Sequence, residues 1–395
     1  MQAARAWLVR AYEVHTVDVR AILLVGGSED EFERESFAGL PLALQDVLGK
    51  PAVLRAIERL QTQRLNGVCV VSRAARPAGI PANVPWMHAV NGNFWRSAEN
   101  AFNELSQAGA EALLVLRMGG YGEFVVDDFV QRHLDCRAHV TRAIDRNGEP
   151  LDMFMLAGSR RNDAAYLFRH ELRQTRAACG HWIFEGYWNP LATGTDLRKL
   201  AIDGLMQRCE MKPMGVEQRP GIWIARNARV DRRARVLAPA YIGEHARVRG
   251  NVVVTRCSTI ERYAEVEAGT VVENASVLPY TVIGQSLDIA HSIAGGRKLL
   301  HLGRKVEVEI TDPKLMDART QHAPLRAMAS AAALASFLPV QFFRGLLAKS
   351  HREQPAELPD AVKASSAVKT PAGFEGEEPS AFPANLAVAR RYGDQ

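Results

Sequence analysis

From Ile224 onward the chain places an aliphatic residue at every sixth position: Val230, Val236, Ile242, Val248, Val254, Ile260, Val266, Val272 and Leu278. No other feature of the sequence restricts the fold as tightly. Period six matches neither an amphipathic helix nor the alternation of a simple strand, so the repeat must close on a larger unit. Two places before most of these residues stands a small one: Ala228, Ala234, Ala240, Ala246, Ser258, Ala264, Thr270 and Ser276, with Val252 as the exception. Three hexapeptides then make one triangular coil. The aliphatic side chain points into the prism, the small residue fits the corner, and stacked coils share backbone hydrogen bonds. The expected product is a left-handed parallel β-helix of about three coils, whose open ends need covering. After Leu278 the phase slips by one, since Val277, Ile283 and Ile289 continue at six; this reads as a bulge or the start of a cap.

Upstream of the repeat, from Arg20 to about Gly215, apolar strands alternate with helical segments, the mark of an α/β domain with a mainly parallel sheet. The runs AILLV and VCVVS read as strands. Between them Pro51, at a first helical position, opens a helix with Val53, Leu54, Ile57 and Leu60 on one face. A helix over SAENAFNELSQAG, the strand Ala112–Arg117, a helix around DDFVQRHLD and the strand HVTRAI follow. Such sheets bind ligands at the carboxyl ends of their strands, and Gly26 and Gly27 stand at one such end.

With 395 residues and 47% apolar content the chain is long enough for more than one packed core. The excess of 49 basic over 44 acidic side chains is too small over this length to indicate nucleic acid. Cys69, Cys136, Cys179, Cys209 and Cys257 are odd in number and never spaced as C-x-x-C, which argues against a disulfide framework or a zinc site. No export signal is visible in MQAARAWLVRAYEVH, and a reducing cytoplasm is the expected compartment.

The segments ILLVGG, PLALQDVLGKPAVLRAIERL and GYWNPLATGTDLRKLAIDGL, followed by the hexapeptides, resemble the sugar-1-phosphate nucleotidyltransferases, especially the GDP-mannose pyrophosphorylases and their bacterial relatives. The resemblance covers roughly residues 20 to 300 in the family's order. It implies a Rossmann-like nucleotidyltransferase domain joined to a left-handed β-helix. It also implies a reaction that joins a nucleoside triphosphate to a sugar phosphate and rests on positioning and charge neutralisation. The family's G-x-G-T-R loop is replaced by a run in which Glu29, Asp30, Glu31, Glu33 and Glu35 face only Arg34. Its loop lysine is replaced by Leu42, and Lys50 matches a variable position. The metal-binding Gly-Asp pair is replaced by Arg117, Met118, Gly119 and Gly120, with no aspartate before Asp127. The second carboxylate gives way to Pro190, next to Asn189, which still offers a neutral oxygen.

With those four groups lost, no catalytic residue and no metal ligand is assigned; Gly26 and Gly27 remain as an eroded nucleotide-binding candidate. The preferred expectation is a non-catalytic nucleotide-sugar-sensing or scaffolding partner in nucleotide-sugar or surface polysaccharide synthesis. Nucleotide or nucleotide sugar is its ligand, and its assembly is a homo-oligomer or a complex with an active paralogue. The alternatives are an active nucleotidyltransferase with relocated groups, which alone would need Mg2+, and a hexapeptide acyltransferase. For the last, the only histidine in the regular repeat is His245, more simply a solvated corner residue. Arg229 and Arg247, one coil apart, with Arg226, Arg232, Arg233, Arg235 and Arg249, suit an anionic partner or, more plainly, a solvated basic face.

The chain divides on this reading into the α/β domain over 20–215, the β-helix and cap over 221–310, an apolar helical segment over 320–349 and a disordered tail over 350–395. Residues 327–347 are alanine-rich and interrupted by Pro339, which suits a packed helix or peripheral membrane contact better than a span.

Overall fold

The computed structural model describes residues 17–26, 36–63, 65–77, 79–89, 93–117, 120–159 and 180–319, with the backbone of 390–391. The expectations for Gly27, for the acidic run Glu29–Glu35, for segment 320–349 and for residues 350–389 of the tail lie outside the described residues, while the tail's backbone at Arg390–Arg391 pairs antiparallel with Val306 and Glu307. The chain divides into two compact units, Met1–Ala318 with Ala389–Gln395 and Arg319–Val388, and every element below belongs to the first.

The fold is mixed α/β with parallel sheets. Its first sheet contains β1 (Val19–Val25), β2 (Val68–Ser72), β3 (Trp86–His88), β4 (Ala112–Arg117), β5 (Val140–Ile144), β6 (Pro150–Ala157) and β7 (Gly180–Ile183), in the order β7-β5-β6-β4-β1-β2-β3. Only β6 runs against its neighbours. The reason is local: Asp145 Oδ1 accepts the N–H groups of Asn147 and Glu149 at 2.8 and 2.7 Å, and Gly148 takes a positive φ, so β5 and β6 fold into a hairpin. Central strands are apolar on both faces because both are covered. Leu23, Val25, Leu114 and Leu116 enter one core, and Ile22, Leu24, Leu113 and Val115 enter the other.

Helices α1 (Ala52–Thr62), α2 (Phe94–Gln107), α3 (Val126–Cys136) and α4 (Gly194–Leu205) cover the faces. Val53, Leu54, Ile57 and Leu60 are all buried, as the spacing predicts, while Pro51 stands one position earlier than expected, at the N-cap. Thr193 and Asp196 close a capping box on α4.

In the repeat region the inward aliphatic residues form three parallel ladders: Ile224–Ile242–Ile260–Val277, Val230–Val248–Val266–Ile283 and Val236–Val254–Val272–Ile289. Three parallel sheets visited in rotation are compatible with a three-sided coil. The phase slip differs from expectation. Ile260 pairs with Val277 and Val272 with Ile289, so one residue is missing between Val272 and Val277 and the ladders continue through it. There is neither a bulge nor a cap at that point. Ala275 and Val277 take the interior positions assigned to Ser276 and Leu278, and Leu278 instead enters the core of the α/β region. Antiparallel strands Lys298–His301, Val306–Glu309 and Met316–Ala318 close the far end.

The two regions are tied by buried polar groups. Glu261, 1% exposed, accepts the N–H groups of Leu48 and Gly49 at 2.9 Å each. Arg262 Nε lies 2.7 Å from Asp46 Oδ2, close enough for an ion pair but misaligned for a hydrogen bond. Arg198 of α4 is 2% exposed and donates to Cys257 O at 2.8 Å, Asn274 Oδ1 at 3.1 Å and Ser276 Oγ at 3.3 Å.

Candidate functional site

The carboxyl ends of β1, β2 and β4 lie side by side, since Val25 pairs with Ser72 and Leu24 with Arg117. Gly26 leaves β1 with φ +91°, a left-handed conformation that a side chain would strain. Around this end the structure gathers charge that sequence reasoning did not place. Asp152, at the start of β6, has its Oδ1 3.9 Å from Arg117 Nη1 and 3.9 Å from Arg142 Nη2. Both arginines are buried, at 8% and 5% exposure. Arg117 sits over the Trp95 ring at 5.6 Å, and Arg142 over Phe154 at 5.1 Å while donating from Nε to Leu151 O at 3.1 Å. Burial, helped by Arg117, holds the Arg142 guanidinium below its ordinary pKa, with Asp152 opposing the shift.

The sequence offered a signal for this. Arg142 interrupts the strand VTRAI, and a charge inside a buried strand must be paired. Asp152 was not singled out because its partners lie on other strands.

The residues compared with the family motifs are placed as follows. Leu42 is buried in a short 3-10 turn, Leu42–Leu44. Lys50 Nζ pairs with Glu58 on α1 at 2.7 Å. Asp127 lies exposed in the first turn of α3. Asn189, buried at 1% exposure, donates to Asp196 O and accepts from Leu191 N, so its amide braces the entry to α4 instead of offering a free oxygen. Among the described residues no group of three or more His, Cys, Asp or Glu converges to hold a metal. Among the described residues at the strand ends the carboxylate is Asp152, which lies between two guanidiniums.

His245 and the basic residues lie in the repeat region. His245 takes φ +57° at a corner and stacks on Tyr263 at 4.8 Å, which stacks on Tyr280 at 5.1 Å. Arg229 and Arg247 are direct ladder neighbours, as their spacing predicts.

A second concavity, about 310 Å3, opens beyond β7. Trp182 and Phe124 form its apolar wall, and Glu123, Asp128, Glu185 and Glu210 outnumber Arg59 around it. Glu123 is committed to Glu210 N, at 2.8 and 2.9 Å, and to Tyr121 Oη at 2.8 Å. An anion would find this site unfavourable. Among the described residues no helix is long and apolar enough to cross a membrane.

No family model and no curated protein matches the chain. Among solved structures, the chain is similar to HddC from Yersinia pseudotuberculosis in a crystal structure complexed with GMP-PN. The identity is 14%, over 46% of this chain and 97% of that one, with a TM-score of 0.36.

Proposed function

We propose that this chain is a sugar nucleotidyltransferase-like protein that binds a nucleotide or nucleotide sugar without turning it over, and acts as a sensing or scaffolding partner in nucleotide-sugar or surface polysaccharide synthesis. The observation that carries this reading is the state of the motif positions. Leu42 is buried where a lysine is needed, Lys50 is held by Glu58, and the Asn189 amide is engaged by Asp196 O and Leu191 N. Chemistry of that kind needs several cations around a polyphosphate. Arg117 and Arg142 place two guanidiniums near the strand ends, beside Asp152, where an anionic ligand of this class would meet positive charge. On the same reading the three ladders wind as a left-handed β-helix over 221–310 behind an α/β domain over 20–215. The protein works in the cytoplasm as a homo-oligomer or beside an active paralogue, with 327–347 as a packed or membrane-peripheral helix.

A second reading, an active nucleotidyltransferase with relocated groups, draws on the same arginine pair. A thermal-shift series separates the two, with nucleoside triphosphates, sugar phosphates and nucleotide sugars each tested with and without Mg2+. Sensing predicts stabilisation by a nucleotide sugar that Mg2+ does not alter, about 2.7 kcal/mol at a hundredfold excess over Kd. Loss of that shift in Arg117→Ala would place the ligand at the strand ends. Mg2+-dependent stabilisation by a triphosphate, with pyrophosphate released by pure protein, would replace the proposal with the second reading.

A further inference from the structure

The first turn of the repeat is unlike the turns stacked on it. Its inward residues Ile224, Val230 and Val236 are only partly buried, whereas Ile242, Val248 and Val254, one turn further on, are at 0%, 2% and 0% exposure. The small residues behave alike: Ala228 and Ala234 are partly exposed, and Ala246 is at 0%. On one of the three sides Val216–Arg219 pairs with Ile222–Ile224 and covers that edge. On the other two, strands Arg229–Val230 and Arg235–Val236 pair only with the next turn among the described residues, so their outer edges are open. Among the described residues no strand covers this end of the apolar ladders on those two sides, and Leu237 is 52% exposed beside it.

The rim of this open end is basic. Arg226, Arg229, Arg232, Arg233 and Arg235 are all exposed, and the one carboxylate between Gly221 and Pro239 is Asp231, which is engaged by Arg233 N at 2.8 Å. Arg226, Arg229, Arg232 and Arg235 form no ion pair with any described residue. One turn further on a cation is neutralised: Arg249 pairs with Glu265 and, at 3.7 Å, with Glu267, while Arg247 lies opposite Glu265 in the ladder. Among the described residues, four arginines without an ion pair thus cluster at this end.

We infer that the open first turn, Ile222 to Leu237, is a docking surface for an acidic protein segment that adds a strand to the exposed edges and lays aliphatic side chains over Ile224, Val230 and Val236. Open edges provide backbone hydrogen bonds to an incoming strand, and the arginine rim selects its charge. A second copy fits poorly, because two such ends meeting would bring the two arginine rims face to face. A nucleic acid or sulfated polysaccharide would satisfy the arginines but leave the apolar triangle and the strand edges uncovered.

The test uses the full chain and a defined probe, a soluble peptide alternating glutamate and valine, compared with its lysine-valine counterpart and with a DNA duplex. The expected result is binding of the acidic peptide alone, slowed amide exchange over 229–237, and about tenfold or greater weakening in Arg229→Glu/Arg235→Glu or at high salt. Unchanged melting of that exposed double variant shows that it folds. The proposal is overturned if the acidic peptide fails to bind or the lysine peptide binds equally. It is overturned too if DNA protects the same amides, or if sedimentation shows a dimer whose formation itself buries 229–237.

Discussion

Arg198 shows how much a single side chain decides. It sits in α4 within the run DLRKL, where a charged residue on an amphipathic helix ordinarily faces water. Instead it is 2% exposed and donates to four groups of the repeat region, and burial pulls its pKa down to about 10 while leaving it charged at neutral pH. Truncation by Arg198→Ala would remove the guanidinium donor from Cys257 O and Asn274 Oδ1, while Ser276 Oγ would keep only the Thr259 hydroxyl. A loss of about 2–4 kcal/mol in urea denaturation is expected, partly restored by Arg198→Lys. Nothing in the local sequence separates this arginine from Lys199 beside it; only the partner atoms on the coil do. Gly26, by contrast, was legible, because a glycine after a buried strand end needs only the local turn to be read.

At the scale of elements, the repeat was the most readable part because each hexapeptide states the same constraint again. Ile260 pairs with Ile242 and Val277 inside the coil at 0% exposure. Ile260→Ala is expected to cost about 2–5 kcal/mol and to broaden thermal unfolding, since each turn is stabilised chiefly by its neighbours. A change confined to the melting midpoint, with no broadening, would show that the coil unfolds together with the α/β region. The one-residue deletion was misread because Leu278 is aliphatic and fits the period, yet its buried surface belongs to the other core. The Asn147-Gly148 turn was a legible hairpin signal that was passed over, and with it the antiparallel β6 that carries Asp152. Gly49 lies in the turn that meets Glu261. Its φ is +94°, and an added Cβ would lie 2.8 Å from Met214 Cβ, so Gly49→Ala is expected to lower the melting temperature by several degrees through strain and crowding together.

Across the whole molecule, the junction of the α/β and coil regions makes stability depend on pH. Glu261 lies near Asp46, Arg55 and Tyr241, and burial, helped by Asp46, raises its pKa from 4.5 to about 8 against the pull of the Leu48 and Gly49 N–H groups and Arg55. Asp46 is raised by burial to about 6, with Arg262 and Arg55 opposing. A folded-state pKa above the unfolded one means that the folded chain keeps its proton longer. Between pH 4.5 and about 8 the unfolded chain therefore binds fewer protons, and stability falls as pH rises. Wild type should lose up to about 1.4 kcal/mol per pH unit more than Glu261→Gln across this window. Equal slopes for the two proteins in urea titrations at pH 5.5, 7 and 8.5 would refute it. The sequence by itself determined whatever repeats or alternates: the coil period, the buried central strands and the apolar face of α1, because each is enforced by local backbone geometry and burial. Only the tertiary structure decided which charges meet. The triad Arg117, Arg142 and Asp152, the Glu261–Asp46 junction and the bare arginine rim join or separate residues far apart in the chain, and electrostatic energy depends on distance and burial, neither of which a spacing in sequence contains.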